Sequence, residues 1–126
     1  MSDYVELHTH SYYSLLDGAS SPTELVKQAA LLGLPALALT DHNNLYGAIS
    51  FTQAAHSAGI QPIFGAEMTL EDGSHLILLV RNAVGWQNLC HLITDAQYNA
   101  PKGQASLRYE RLQQHTAGLI CLTGCR

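Results

Sequence analysis

The chain has 126 residues, a net charge of −4, and 47% hydrophobic and 13% charged residues. This length suits one domain or part of one, and so apolar a chain can bury a sizeable core rather than remain disordered. The six lysines and arginines are scattered along the sequence. A stand-alone nucleic-acid-binding protein is therefore not indicated, because such a protein normally carries a basic stripe.

The sequence also lacks membrane and secretion signals. Met1, Ser2 and Asp3 form neither a cationic segment nor an apolar one, and the apolar run at residues 76–80 is far too short to cross a bilayer. We therefore expect a cytoplasmic protein without a membrane partner. Its three cysteines form no CxxC pair, so free thiols or a metal ligand are expected.

In chain order, residues 4–9 are the first predicted strand. A helix should follow, because Ser21 can be the N-cap, Pro22 suits the first turn and Glu24 completes a capping box. This helix is predicted to end near Gly33.

The rest of the chain continues to alternate strands and helices, which predicts an α/β fold with a parallel sheet and right-handed crossovers. A closed (β/α) barrel takes about 250 residues. We therefore expect an incomplete (β/α) barrel, roughly its first five strands with crossover helices. The remaining predicted elements are a strand at 35–40, a helix at 45–58, a strand at 60–70, a turn at 71–74, a strand at 75–80, a helix capped by Asn82, a helix at 107–115 and a strand at 119–123.

Two histidines end the first predicted strand. His8 and His10 are two residues apart, so in an extended strand both imidazoles project to the same face. The carboxyl ends of strands are where α/β folds place their sites. The pair alone fits a half-exposed strand face as well as it fits a metal site.

Further ligand-type residues occur near other strand ends or in the following loop. Asp17 lies after the first strand, Asp41 and His42 end the second, and Glu67 lies near the end of the third. Histidine and carboxylate ligands together suit Zn, Mn or Fe rather than Mg alone. Clustered divalent ions activate water and clamp oxygens at phosphorus, so metal-dependent phosphoester hydrolysis is the predicted chemistry. Glu67 could bridge two metals, whereas Asp41 should act indirectly, by orienting an imidazole or holding a loop.

The order of these motifs points to a known family. The segments that carry it are residues 8–10 (HTH), 14–18 (SLLDG), 38–42 (ALTDH), 45–48 (LYGA), 63–67 (IFGAE), 75–79 (HLILL) and 86–90 (WQNLC). They resemble the polymerase-and-histidinol-phosphatase (PHP) domain at the N-terminus of bacterial C-family DNA polymerases, the DNA polymerase III alpha subunits. Residues 122–126 (LTGCR) are most similar to the error-prone branch. The similarity covers essentially the whole chain.

The resemblance implies two ligands that spacing does not suggest, a histidine at His75 and a cysteine at Cys125. Cys90 and Cys121 lie in apolar surroundings and are predicted to be core residues. The expected site holds two or three divalent transition metals (Zn, Mn or Fe). Its predicted ligands are His8, His10, Asp17, His42, Glu67, His75 and Cys125.

The family completes this site with a later Asp-x-His pair, which the sequence through Arg126 does not contain. Residues 1–126 are therefore expected to be the N-terminal part of a PHP domain, inactive alone. The implied parent is a DNA-directed DNA polymerase of replication and damage-induced repair synthesis. Its implied partners are the rest of the polymerase chain, DNA bound through other domains, and other replication or repair proteins. Two alternatives stay open: a stand-alone phosphoesterase of the histidinol-phosphatase type, and a non-catalytic module that braces the polymerase.

Overall fold

The computed structural model describes residues 4–14, 18–98, 100–101 and 103–123. Within them, no helix is both long and apolar enough to cross a membrane. The helices and strands are α1 (Pro22–Leu31), β1 (Ala36–His42), α2 (Ala48–Ala58), β2 (Gln61–Thr69), β3 (His75–Val80), α3 (Ala83–Gln97), α4 (Tyr109–Gln114) and β4 (Leu119–Thr123).

The chain divides into two compact units. The first comprises Met1–Asp41 and Leu45–Phe64, and the second comprises His42–Asn44 and Gly65–Arg126. In the first unit α1 packs on α2. The buried residues of its core are Val26, Ala29, Leu37, Leu39, Phe51, Ala55 and Ile60.

The predicted start of α1 is confirmed. Ser21 Oγ accepts from the Glu24 backbone N–H at 3.1 Å, and the Glu24 carboxylate accepts from the Ser21 N–H at 3.4 Å. Helix α2 begins at Ala48 rather than at residue 45, with Gly47 as its N-cap. It ends at Ala58, as predicted, with Gly59 as its C-cap, where a left-handed φ of 72° suits glycine.

The predicted strand at residues 4–9 is reduced to one parallel bridge, between Glu6 and Leu37. This segment still runs alongside β1. Glu6 O accepts from Ala38 N–H at 2.9 Å, and Thr9 O accepts from Thr40 N–H at 2.8 Å. The described sheet therefore has four strands, in the order β1-β2-β3-β4, rather than about five.

The prediction of a wholly parallel sheet was wrong. The pair β2–β3 is antiparallel, from Gly65 opposite Leu79 to Thr69 opposite His75, and β3–β4 is antiparallel too. For β2 and β3 the cause is the turn at residues 71–74, which is confirmed but is too short to carry the crossover that parallel strands need.

Strands β1 and β2 run in the same direction. Pro35 O accepts from Gln61 N–H at 3.0 Å, and Glu67 O accepts from Asn43 N–H at 2.9 Å. From the first bond to the second the residue numbers rise on both strands, as they do in a parallel pair. The sheet is thus mixed, and the fold is α/β.

In the second unit, α3 begins as predicted, with the Asn82 side chain accepting from the Gly85 N–H at 2.9 Å. The prediction that Cys121 is a core residue was wrong, since its side chain is exposed. The reason is its place in β4, an outer strand whose described side chains are only partly covered. Cys90 is half-buried on α3, and burial raises the pKa of its thiol.

The close approach of α3 to the loop before β4 yields the first prediction. A Cβ on Gly85 would lie 1.9 Å from the carbonyl oxygen of Gly118, and backbone cannot turn aside as a side chain can. We expect Gly85→Ala to destabilise the fold by about 1–3 kcal/mol through overpacking, although alanine is the better helix former. Chemical denaturation would measure the change. Val84→Ala, at an exposed neighbouring position, is the control, and an equally stable Gly85→Ala protein would contradict the packing described.

The turn between β2 and β3 yields a pH prediction. Hydrogen bonds from Ser74, and then from the Tyr109 hydroxyl, lower the pKa of Asp72 from 3.8 to about 2. The pKa of Asp72 is thus lower in the folded chain than in the unfolded one. These bonds therefore stabilise the fold fully at pH values above the unfolded pKa. Their contribution is lost as the pH falls through the folded pKa. Titration of the Asp72 carboxyl carbon by NMR should give a midpoint near the lowered value. Tyr109→Phe should raise it, whereas Glu110→Gln should not, and an ordinary midpoint in the wild type would refute the arrangement.

Candidate metal centre

The strand register brings two predicted ligands of the second unit together. Thr69 of β2 stands opposite His75 of β3, and Glu67 lies two residues before Thr69 on the same face. Glu67 and His75 are therefore diagonal neighbours, within reach of each other's side chains. The pairing explains why a histidine at the first position of β3 can contact a glutamate inside β2.

His42 is directed toward the same glutamate by the residue that follows it. Asn43 adopts a left-handed backbone with φ of 53°, which asparagine tolerates better than most residues. Its side chain accepts from the Thr69 N–H at 2.9 Å and donates to the Thr69 hydroxyl at 3.1 Å. Sequence reasoning missed Asn43, although an asparagine directly after a strand is a known turn signal.

The three side chains meet at one oxygen. Glu67 Oε2 lies 2.9 Å from His42 Nδ1 and 2.9 Å from His75 Nδ1. Glu67 is only 1% exposed, whereas the two histidine side chains are 25% and 30% exposed. A buried carboxylate is costly unless it is paired, and these imidazoles supply partners.

This group fits a metal ion by its chemistry. One ligand atom from each of His42, Glu67 and His75 lies within 4.8 Å of the others, and together they offer two imidazole nitrogens and a carboxylate oxygen. Such mixed nitrogen and oxygen donors are typical of Zn, Mn and Fe sites.

The first unit holds two more of the predicted ligands, His8 and His10. His8 Nε2 and His10 Nε2 lie 3.3 Å apart, and the two rings meet edge to face. Their segment is fixed to β1 by Thr40, whose hydroxyl accepts from the Thr9 N–H at 3.0 Å. The expected convergence of the two imidazoles is therefore present.

Asp41 holds a loop. It is 2% exposed, and its carboxylate accepts from the Ser11 N–H, the Ser11 hydroxyl and the Ser14 hydroxyl, each at 2.7 Å. Asp41 was expected either to orient an imidazole or to hold a loop, and these contacts hold the loop. The part played by Ser11 and Ser14 was missed, because separations of 30 and 27 residues leave no local pattern.

The structure thus brings His42, Glu67 and His75 together in one unit, and His8 and His10 together in the other. Asp17 and Cys125 lie outside the described residues.

Comparison with known sequences gives close relatives. An error-prone DNA polymerase of Symbiobacterium thermophilum is 48% identical over 98% of this chain, which covers 13% of that protein. A DNA polymerase III subunit alpha of Chlamydia pneumoniae is 42% identical over 97% of this chain and 11% of its own length. The chain therefore spans about an eighth of the length of these curated relatives.

Solved structures are similar as well. A Bifidobacterium adolescentis protein, inferred to be a metal-dependent phosphoesterase, matches with a TM-score of 0.61 and 25% identity, over 75% of this chain and 34% of that one. An amidohydrolase from Chromobacterium violaceum matches with a TM-score of 0.61 and 32% identity, over 73% and 32%. Residues 6–126 match the PHP domain, and the chain belongs to that family.

Proposed function

We propose that this chain is the PHP segment of an error-prone DNA polymerase of the DNA polymerase III alpha type, and that it binds divalent metals for phosphoester hydrolysis. The observation that carries the metal-binding part is the buried Glu67 carboxylate, with an imidazole nitrogen at 2.9 Å on each of two sides. The polymerase assignment is supported by relatives at 42% to 48% identity across nearly the whole chain.

The proposed ligands are found in both units, and each unit is described by itself. His42, Glu67 and His75 serve in the second unit, and His8 and His10 serve in the first. The family resemblance adds Asp17 and Cys125 to the proposed ligands. Two or three transition metals (Zn, Mn or Fe) are proposed, since donors of this kind suit all three.

The residues of the chain have distinct tasks in the proposed hydrolysis. A bound divalent metal would lower the pKa of a water molecule and neutralise charge on the phosphoester oxygens. Glu67 carries the negative charge that attracts the cation and keeps the imidazoles of His42 and His75 in place. Asp41 keeps the loop after His10 in one conformation, through Ser11 and Ser14.

For the whole protein we propose DNA-directed DNA synthesis in replication and damage-induced repair. The rest of the polymerase chain and DNA held by other domains are the proposed partners, together with other replication or repair proteins, and the proposed location is the cytoplasm. We further propose that the α/β fold is part of a (β/α) barrel of the PHP type.

Two other functions are disfavoured by specific observations. A purely structural module has no need for a buried carboxylate shared by two histidines. A stand-alone phosphoesterase of the histidinol-phosphatase type is disfavoured because the curated relatives with 48% and 42% identity are polymerases.

Metal binding tests the proposal directly. We expect the purified chain to bind a divalent ion such as Zn²⁺ or Mn²⁺, and Glu67→Gln to weaken that binding by about 100-fold or more. Loss of a partner that only supports a ligand already costs about 10- to 100-fold in affinity. Calorimetric titration and elemental analysis of the dialysed protein would measure both quantities.

Matched variants control for histidine number and for charge. His42→Ala should weaken binding as strongly, whereas His91→Ala and Glu110→Gln, at exposed positions on α3 and α4, should not. Equal metal content in the wild type and in Glu67→Gln would sink the proposal, and so would a wild type that binds none.

A further inference from the structure

Three tyrosines form a cluster in the first unit, which we call the tyrosine cluster. The Tyr13 ring meets Tyr12 edge to face at 4.9 Å between centroids, and meets Tyr46 edge to face at 6.2 Å. Tyr12 is 47% exposed and Tyr46 is 69% exposed. Exposed aromatic rings that lie next to one another, unlike single exposed side chains, are a feature of binding sites.

The cluster is anchored by its central ring. Tyr13 is half-buried and lies against Gly47, where an added Cβ would be 3.2 Å from the ring. Packing therefore accounts for Tyr13, whereas Tyr12 and Tyr46 flank it and expose much of their surface.

The turn that carries Tyr12 is fixed by hydrogen bonds. Asp41 binds the hydroxyls of Ser11 and Ser14 on either side of the two adjacent tyrosines, at 2.7 Å each. The Tyr12 N–H donates to Ser20 O at 2.8 Å. The backbone that carries the Tyr12 ring is therefore fixed before a ligand binds. Binding then costs less conformational entropy, which is how preorganised sites gain affinity.

The cluster is also close to the proposed metal ligands along the chain. Tyr12 follows His10 by two residues, and two residues of extended chain span at most about 7 Å. A group stacked on Tyr12 can therefore be joined by a short link to a phosphoester near His10. A nucleotide has this form, with a flat base one sugar away from its phosphate.

The chemistry of the cluster favours a base over the phosphate. A tyrosine side chain offers a flat ring and a hydroxyl but, unlike lysine or arginine, no positive charge for a phosphate. The chain carries a net charge of −4, so attraction to a polyanion is not its source of affinity. Stacking of bases on aromatic rings supplies affinity without charge.

We propose that Tyr12 and Tyr46 are positioning residues that stack on a nucleobase of single-stranded DNA and hold the adjoining phosphoester near His10. The proposal rests on the proposed function for its phosphoester chemistry. Base stacking itself requires no metal, so it can be measured separately.

The test is a binding titration in EDTA with the full chain, using fluorescence anisotropy of a short labelled oligothymidylate and of an abasic oligonucleotide of the same length. Both probes carry the same phosphates, so a difference between them reports the bases. We expect the wild type to prefer the oligothymidylate by about tenfold, the scale of a stacked base. Tyr12→Ala should abolish the preference and Tyr12→Phe should keep it. Tyr98→Ala, 75% exposed outside the cluster, should also keep it.

The outcomes separate the two proposals. A wild type without preference for the base-bearing probe, or a Tyr12→Ala variant that keeps the full preference, would overturn the stacking role. Circular dichroism checks the fold, and Tyr46→Ala decides the matter if Tyr12→Ala is unfolded. Loss of base preference with intact metal binding counts against the tyrosine cluster alone. Absent metal binding with intact base preference counts against the proposed function alone.

Discussion

The buried Glu67 carboxylate is the constraint on which the second unit depends. A carboxylate that is 1% exposed must be paired, and its partners here are the imidazoles of His42 and His75. The left-handed Asn43 and the antiparallel register of β2 and β3 bring those imidazoles to it. Removing the carboxylate would leave two histidines with no anion between them, so the local geometry and the proposed metal affinity depend on the same group.

The first unit also contains a buried carboxylate that must be paired, that of Asp41, and its partners are neutral hydrogen-bond donors. Three hydrogen bonds from Ser11 and Ser14 compensate for its burial and fix the loop that follows His10. One buried acid thus faces ligand-type histidines, and the other faces serines that order a loop. This difference in partners is why metal binding is proposed for Glu67, and loop order for Asp41.

Local patterns in the sequence predicted most elements. The capping box at Ser21, the turn at residues 71–74, the helix start at Asn82 and the strand His75–Val80 are confirmed, because each depends on neighbours in the chain. The direction of β3 relative to β2 was mispredicted, although the predicted turn at residues 71–74 joins these strands directly and only antiparallel strands can be joined by so short a turn. The pairing of His8 with His10 followed from spacing, whereas Asn43 and the serines around Asp41 depend on contacts distant in sequence.

We propose above that Glu67, His42 and His75 hold a divalent metal together. Crystals of the chain soaked with Mn²⁺ or Zn²⁺, measured at the absorption edge of the metal, would locate the ion by anomalous scattering. We expect a peak at bonding distance from the Glu67 carboxylate and from an imidazole nitrogen of each histidine. A fully loaded crystal whose only peaks lie elsewhere, or a soaked crystal without a peak at Glu67, would contradict it.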